Sequence, residues 1–98
     1  MTHVLIDCIT NIRYALPDSG EVKIGYGNEN FISTPPIFAD VKRDHCMLRV
    51  NSQGVYVRNL SNGRTSVSGN PIGPEFVQLR SRDMIGVGQS FTLKFMAE

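Results

Sequence analysis

The side chains best suited to chemistry in this sequence are two histidines, two cysteines and a short polar segment that ends in Asp44 and His45. An Asp beside a His resembles a catalytic base with the carboxylate that orients it. Adjacent residues of an extended segment point to opposite faces, however, so these two would not face a common substrate. The sequence also has no nucleophile elbow and no metal-ligand spacing. We therefore predict no enzymatic activity, no cofactor and no metal, with a structural role for His45.

The two cysteines, Cys8 and Cys46, lie far apart in the sequence, each among apolar residues. They have neither the density nor the spacing of a disulfide framework or a zinc site. Free cysteine is among the residue types most often found buried. We therefore expect both cysteines to be small members of the hydrophobic core.

Charge does not indicate a nucleic acid or a membrane as the partner. The ten basic and nine acidic residues give a formal net charge of +1 without a run of either sign. The arginines are dispersed and no series of aromatic residues accompanies them. No apolar stretch approaches the ~20 residues of a spanning helix, and the first residues lack the features of a signal peptide. The sequence predicts a soluble intracellular protein that does not bind nucleic acid or membranes directly.

The elements that position these side chains are predicted to be strands. Short apolar runs bounded by Gly, Pro, Asn and Ser recur about every 8–12 residues, which is typical of a β-sandwich or barrel. Pro35 and Pro36 cannot donate ladder hydrogen bonds, so they favour an edge strand or a connection over a central strand. The length suits one domain, over residues 1–98. The predicted strands cover residues 4–9, 12–16, 21–24, 46–50, 55–59, 66–68, 76–79, 83–87 and 90–96.

Alternation within the strands predicts which side chains enter the core. In the last strand Phe91, Leu93 and Phe95 should face inward, because side chains two residues apart share a face. The predicted core comprises Leu5, Ile24, Cys46, Leu48, Val50, Val57, Leu60, Val67, Leu79, Ile85, Phe91, Leu93 and Phe95.

Four segments, in this order, resemble the spaced motifs of the forkhead-associated (FHA) domain family. They are Ile24 to Tyr26, Val41 to Cys46, Asn59 to Gly69 and Leu79 to Gly88. The resemblance implies an all-β, FHA-like sandwich of about eleven short, mostly antiparallel strands. It also implies loops at one end that bind a phosphothreonine peptide through an Arg, a Ser and an Asn.

The first two motifs match the family only in part. Gly25 occupies the glycine position, but Tyr26 replaces the phosphate-binding arginine and Lys42 replaces the serine. Arg43 matches the basic position that follows the serine. His45 matches a histidine that ties neighbouring loops together. The resemblance thus gives Gly25 and His45 scaffold roles, while both principal phosphate ligands are missing.

The other two motifs also differ from the family. Thr65 stands at the usual threonine, but Gly63 and Arg64 stand at the usual Asn and Gly. Either Asn62 takes the asparagine role after a local shift, or the contact with the peptide backbone is lost. In the closing hairpin Arg82 replaces a glycine.

Two functions remain open at this stage. The replaced ligands favour a scaffold role in which the domain associates with a second copy, and apolar residues around Pro35 and Pro36 are the candidate surface. These residues are Phe31, Ile32, Ile37 and Phe38. The alternative is a phosphothreonine reader with a modified basic site, because charge-assisted bonds to phosphate are strong. Its candidate residues are Lys42, Arg43, Asn62, Arg64 and Thr65.

The resemblance also implies a biological setting. Amino-terminal FHA domains of this kind often belong to DNA-damage checkpoint or repair adaptors. We therefore expect the chain to be the amino-terminal part of a longer nuclear signalling protein.

Overall fold

The computed structural model describes residues 3–97 and contains strands but no helix over that range. The eleven strands are β1 (His3–Asp7), β2 (Arg13–Ala15), β3 (Gly20–Gly25), β4 (Ile32–Ser33), β5 (Cys46–Asn51), β6 (Gly54–Asn59), β7 (Thr65–Val67), β8 (Asn70–Pro71), β9 (Val77–Gln78), β10 (Met84–Val87) and β11 (Phe91–Ala97). None of the described residues forms a helix that is long and apolar enough to cross a membrane.

The strands form two sheets that pack face to face. One sheet has the order β2-β1-β11-β10-β7-β8, and the other has the order β4-β3-β5-β6-β9. Every pair is antiparallel except β3 with β4, which is parallel. The prediction of an all-β, FHA-like sandwich of about eleven strands is confirmed.

Strict alternation builds the core from both sheets. In β11 the buried residues Phe91, Leu93 and Phe95 alternate with partly exposed neighbours, as the sequence predicts. In β5 and β6, which pair as a hairpin, Leu48 lies opposite Val57 and both are fully buried. Each sheet therefore presents one apolar face to the other.

The predicted core is confirmed except at one position. Leu60 is only partly buried, because it lies where the chain leaves β6 for a loop. The structure buries six further hydrophobic residues that are not in the predicted core. These are Val4, Leu16, Ile32, Val41, Val55 and Val87.

The prediction that Cys8 is a core residue is wrong, whereas Cys46 is fully buried. The first strand ends at Asp7 instead of Ile9, because the Asp7 carboxylate accepts hydrogen bonds from the backbone N–H groups of Ile9 at 2.8 Å and Thr10 at 3.2 Å. A side chain that bonds the backbone in this way starts a turn. Cys8 therefore lies in an exposed turn.

Candidate functional site

Four connections meet at one end of the sandwich. In the second sheet Ile24 pairs with Cys46, and Cys46 pairs with Asn59, so the connections β3–β4, β4–β5 and β6–β7 share that end. The turn between β10 and β11 joins them, since the Gly88 N–H donates to the Arg64 carbonyl at 2.8 Å. We call this region the loop end.

His45 connects two of these loops through its ring. Its Nδ1 accepts a hydrogen bond from the Lys42 N–H at 3.0 Å, and its Nε2 lies 2.7 Å from the Arg64 carbonyl oxygen. A backbone N–H can only donate and a carbonyl can only accept, so the ring carries its proton on Nε2. The side chain is fully buried. Both ring nitrogens therefore serve to hold loop backbone in place.

Gly25 allows the end of β3 to approach the β4–β5 loop closely. A Cβ atom at this position would lie 2.1 Å from the backbone oxygen of Arg43. The neighbouring backbone is bonded to the same segment, with Tyr26 N–H donating to Lys42 O and Gly27 N–H to Arg43 O, each at 3.1 Å. Glycine is required here because any side chain would push the loop away.

The β6–β7 loop is held by Asn59, a residue that the motif comparison did not single out. Its Nδ2 donates to the carbonyls of Ser61 and Gly63, at 2.9 and 2.8 Å. Its Oδ1 accepts a hydrogen bond from the hydroxyl of Thr65 at 2.8 Å. Thr65 is only 1% exposed. In this conformation Thr65 supports the loop through Asn59. Its role as a candidate phosphopeptide-binding residue stays a prediction.

Asn62 and Gly63 have opposite environments at the tip of this loop. Gly63 lies against the His45 ring, and an added Cβ would come within 2.6 Å of its Cε1 atom. The site where the family usually has Asn thus has no room for a side chain in this loop conformation. Asn62 is exposed and is the amide side chain at the tip.

The loop end carries three basic residues on two loops, together with the acidic residues Glu29, Asp40 and Asp44. Lys42, Arg43 and Arg64 are all exposed. The Arg43 guanidinium lies 5.4 Å from the centre of the Tyr26 ring and 3.7 Å from the Glu29 carboxylate. Both partners of that ion pair are largely exposed, so it contributes little stability.

The four apolar residues of the predicted association surface do not form one patch. Ile32 is 1% exposed because it pairs with Ile24 in the parallel strand β4, so its assignment to the surface is wrong. Phe38 is half-buried and its ring lies 5.3 Å from that of Phe91. Phe31 contacts Tyr14 edge to face at 6.4 Å. Ile37, by contrast, is 82% exposed.

A cleft lies beside Ile37, between the β3–β4 and β4–β5 connections. Its volume is about 570 Å³. Aromatic and aliphatic side chains make up much of its lining, which consists of Tyr26, Asn28, Ser33, Thr34, Pro35, Pro36, Phe38, Ala39 and Val41. We call it the apolar cleft. Sequence reasoning missed it because residues from two separate loops form it.

The arrangement offers surfaces for binding at the loop end. Among residues 3–97 no cluster of three or more His, Cys, Asp or Glu side chains could hold a metal ion. A sandwich that gathers loops, exposed basic residues and an apolar cleft at one end has the architecture of a protein-interaction module.

Comparison with known proteins agrees with this class. The model of the FHA domain family matches residues 22–88, which is more than half of the chain. The chain therefore belongs to the FHA domain family. FHA domains are non-catalytic interaction modules that bind phosphothreonine peptides. A search of curated proteins found no significant match.

Solved structures show the same fold. An FHA domain studied for phosphothreonine-dependent interactions is 23% identical, with a TM-score of 0.87 over 100% of this chain and 98% of that chain. The FHA domain of CT664 from Chlamydia trachomatis is 13% identical, with a TM-score of 0.86 over 100% and 99%. The amino-terminal FHA domain of Rad53p from S. cerevisiae, in complex with a phosphothreonine peptide, is 13% identical, with a TM-score of 0.85 over 100% and 94%.

Proposed function

We propose that this FHA domain acts as a scaffold by associating with a second copy of itself at the loop end. The observation that carries the proposal is Ile37, an isoleucine that is 82% exposed beside the apolar cleft. Burying a large aliphatic side chain gains about 1.5–3 kcal/mol. An exposed apolar tip next to an apolar cleft is therefore a favourable place for protein contact.

The residues at the phosphate-binding positions support the same proposal. Tyr26 and Lys42 stand where the family has its arginine and serine, and the guanidinium of the remaining Arg43 lies over the Tyr26 ring and near Glu29. A lysine binds phosphate as a point charge and lacks the two parallel hydrogen bonds of an arginine fork. The ordinary phosphothreonine contacts are thus reduced, while the fold that holds the loops is retained.

Sedimentation equilibrium over a concentration series, with and without a phosphothreonine peptide library, tests the proposal. We expect a dimer whose population follows protein concentration and does not depend on the peptides. A monomer at all concentrations would contradict self-association. A monomer that assembles only with phosphopeptide would favour the second candidate function.

That second candidate is a reader of phosphothreonine peptides. Lys42, Arg43 and Arg64 bring three positive charges onto two loops that the His45 ring fixes relative to each other. Positive charges held at a preformed loop surface favour a phosphate group. Asn62, exposed at the tip of the β6–β7 loop, is available for the peptide backbone.

Removal of charge tests the reader function. The double variant Lys42→Ala, Arg43→Ala should abolish phosphopeptide binding, measured by fluorescence anisotropy, while the melting temperature stays nearly unchanged. Arg80→Ala with Arg82→Ala is the matched control, because it removes two positive charges from the β9–β10 connection at the other end of the sandwich. Equal binding by the wild type and both double variants would contradict the reader function.

The family resemblance extends the proposal to the setting of the domain. A self-associating amino-terminal FHA domain would bring together two copies of a longer nuclear adaptor in the response to DNA damage. Microscopy of the tagged full-length protein after irradiation would test this setting. Exclusion from the nucleus before and after damage would contradict it.

A further inference from the structure

We infer that the outer face of the second sheet binds a carboxylate side chain from an acidic segment of a partner protein, and that Arg58 is the residue that binds it. This surface is different from the loop end, so the inference goes beyond the proposed function and does not depend on self-association. Two neighbouring arginines carry the inference, because one has a carboxylate partner and the other has none.

Alternation along the paired strands defines this outer face. Glu21 pairs with Arg49, and Arg49 pairs with Tyr56 in the next strand. The row beside it places Met47 opposite Arg58. The residues between them in β5 and β6 are buried in the core, so these side chains point away from it. Arginine, methionine and aromatic residues are the types that are enriched at protein interfaces.

Phe76 holds two arginines of this face in position. The central carbon of the Arg49 guanidinium lies 4.2 Å from the centre of the Phe76 ring, and that of Arg58 lies 5.1 Å from it. A guanidinium is attracted to the face of an aromatic ring at such distances. The side chain of Arg58 is therefore partly ordered before a partner arrives, which reduces the entropy that binding must cost.

The two arginines differ in their hydrogen-bond partners. Nε and Nη2 of Arg49 both donate to one carboxylate oxygen of Glu21, at 2.9 and 2.6 Å. The Arg58 guanidinium forms no hydrogen bond or ion pair with any other residue from 3 to 97, and its Nε is buried without an acceptor. Yet Arg58 is partly buried while Arg49 is exposed. Buried donors nearly always have an acceptor, so Arg58 is an exception that an external acceptor would resolve.

The Arg49–Glu21 pair indicates which acceptor Arg58 would take. Both arginines lie at the same ring, and the one within reach of a carboxylate binds it. Glu75, the acidic residue next to Phe76 in the sequence, is exposed and forms no ion pair with Arg58. A partly buried positive charge is costly unless it is paired, and bonds between guanidinium and carboxylate are strong. A carboxylate of a partner would therefore complete at Arg58 what Glu21 provides at Arg49.

Panning a phage-displayed library of random, unphosphorylated peptides on the wild-type domain tests the inference. We expect the selected peptides to share an Asp or Glu beside apolar residues. Arg58→Gln should raise the dissociation constant of a selected peptide by roughly 10- to 100-fold in calorimetric titrations, because a hydrogen bond to a charged group is lost. Arg80→Gln is the matched control, since Arg80 is an exposed arginine in the β9–β10 connection. It should bind like the wild type.

A charge exchange tests whether the peptide acid contacts Arg58 directly. Replacing the shared acid of the peptide by Arg should weaken its binding to the wild type. The same peptide should regain affinity for Arg58→Glu, because the two charges are then exchanged. No recovery in that pair would overturn the direct contact.

Arg58→Met separates a binding role from a structural one. Methionine keeps a favourable contact with the Phe76 ring and removes the donor that lacks an acceptor. We expect a melting temperature equal to or above that of the wild type, together with loss of peptide binding. A lower melting temperature with unchanged peptide binding would make Arg58 a structural residue and overturn the inference.

Two results of the panning would also overturn the inference. One is a set of selected peptides without a shared acid, including the case in which only phosphoserine peptides bind through Arg58. The other is an acidic peptide that binds the wild type and Arg58→Gln equally. Circular dichroism checks that each variant is folded. If Arg58→Gln does not fold, Arg58→Lys replaces it and should still weaken binding, because lysine lacks the planar fork of arginine.

Discussion

His45 shows how a single buried side chain can fix a binding surface without contacting a ligand. One ring nitrogen holds the backbone of Lys42 and the other holds that of Arg64, so both loops keep their shape whatever their exposed side chains are. The residues at the ligand positions can therefore differ in type while the loop backbone keeps its conformation. This separation explains how Tyr26 and Lys42 can stand at the family's ligand positions while the His45 contacts between the loops are retained.

Arg82 is a residue whose backbone is strained by its position. Its φ angle is +81°, a left-handed conformation that costs a non-glycine residue about 1–2 kcal/mol. We expect Arg82→Gly to raise the melting temperature, with a gain of about 0.5–1 kcal/mol after the larger entropy of an unfolded glycine is subtracted. Thermal denaturation followed by circular dichroism measures the effect.

Arg80→Gly provides the control for this change, because Arg80 has no positive φ angle and should only lose stability when replaced by glycine. If both variants lower the melting temperature equally, the strain at Arg82 is not significant.

The Cys46 thiol should make stability depend on alkaline pH. Burial raises the pKa of Cys46 from 9.0 to about 12, because the thiolate is poorly solvated in the core. The unfolded chain loses this proton near pH 9 and the folded chain keeps it. The protonated Cys46 thiol therefore contributes to the free energy of unfolding below pH 9. This contribution is fully present there and is lost as the pH rises from 9 to about 12.

Urea denaturation at a series of alkaline pH values measures this contribution. We expect Cys46→Ala to be less stable overall but to show a shallower decline in the free energy of unfolding over that range. If the free energy of unfolding declines equally with pH in the wild type and in Cys46→Ala, the decline does not come from Cys46. In the folded wild type a thiol reagent should modify the exposed Cys8 and leave Cys46 unmodified.

At the scale of elements, strands β5, β6 and β11 supply many of the buried core residues. Leu48 in β5 and Leu93 in β11 are both fully buried, one in each sheet. We expect Leu48→Ala and Leu93→Ala each to lower the free energy of unfolding by about 2–5 kcal/mol through lost burial and a cavity. Urea denaturation measures both, with exposed Ile9→Ala as the control that should change little. An unchanged unfolding free energy would remove that leucine from the core.

Long alternating strands were predictable from sequence, whereas the two-residue strands β4 and β8 and the end of β1 were not. The pattern of Phe91, Leu93 and Phe95 identifies β11 and its inward face, because period-two alternation persists over several residues. Strand β4 has only two residues, so no alternating pattern around Ile32 indicates that it is buried. The end of β1 depends on a side-chain hydrogen bond of Asp7, which composition does not indicate.

The candidate site was predictable to the extent that it depends on motif spacing. Spacing identified Gly25 and His45, whose contacts in the structure are those of a loop scaffold. Spacing could not reveal that Thr65 is covered, since its burial follows from the bond to Asn59 within the folded loop. The apolar cleft depends on the distance between two loops that only the folded sheets determine.

At the scale of the whole molecule, association and stability should be linked. A partner that binds only the folded state stabilises it, and the effect grows with concentration. We therefore expect the melting temperature of the wild type to rise with protein concentration in scanning fluorimetry. The Ile37→Asp variant should melt at a constant temperature. A wild-type melting temperature that does not change with protein concentration would contradict the link between association and stability.

The two sheets end in very short strands, with β2 and β8 at the edges of one and β4 and β9 at the edges of the other. These strands have two or three residues, and one of them contains Pro71, which has no N–H to donate. A stray extended chain would find too few hydrogen bonds there to add itself as another strand. These four short strands therefore offer a poor template for the addition of another strand.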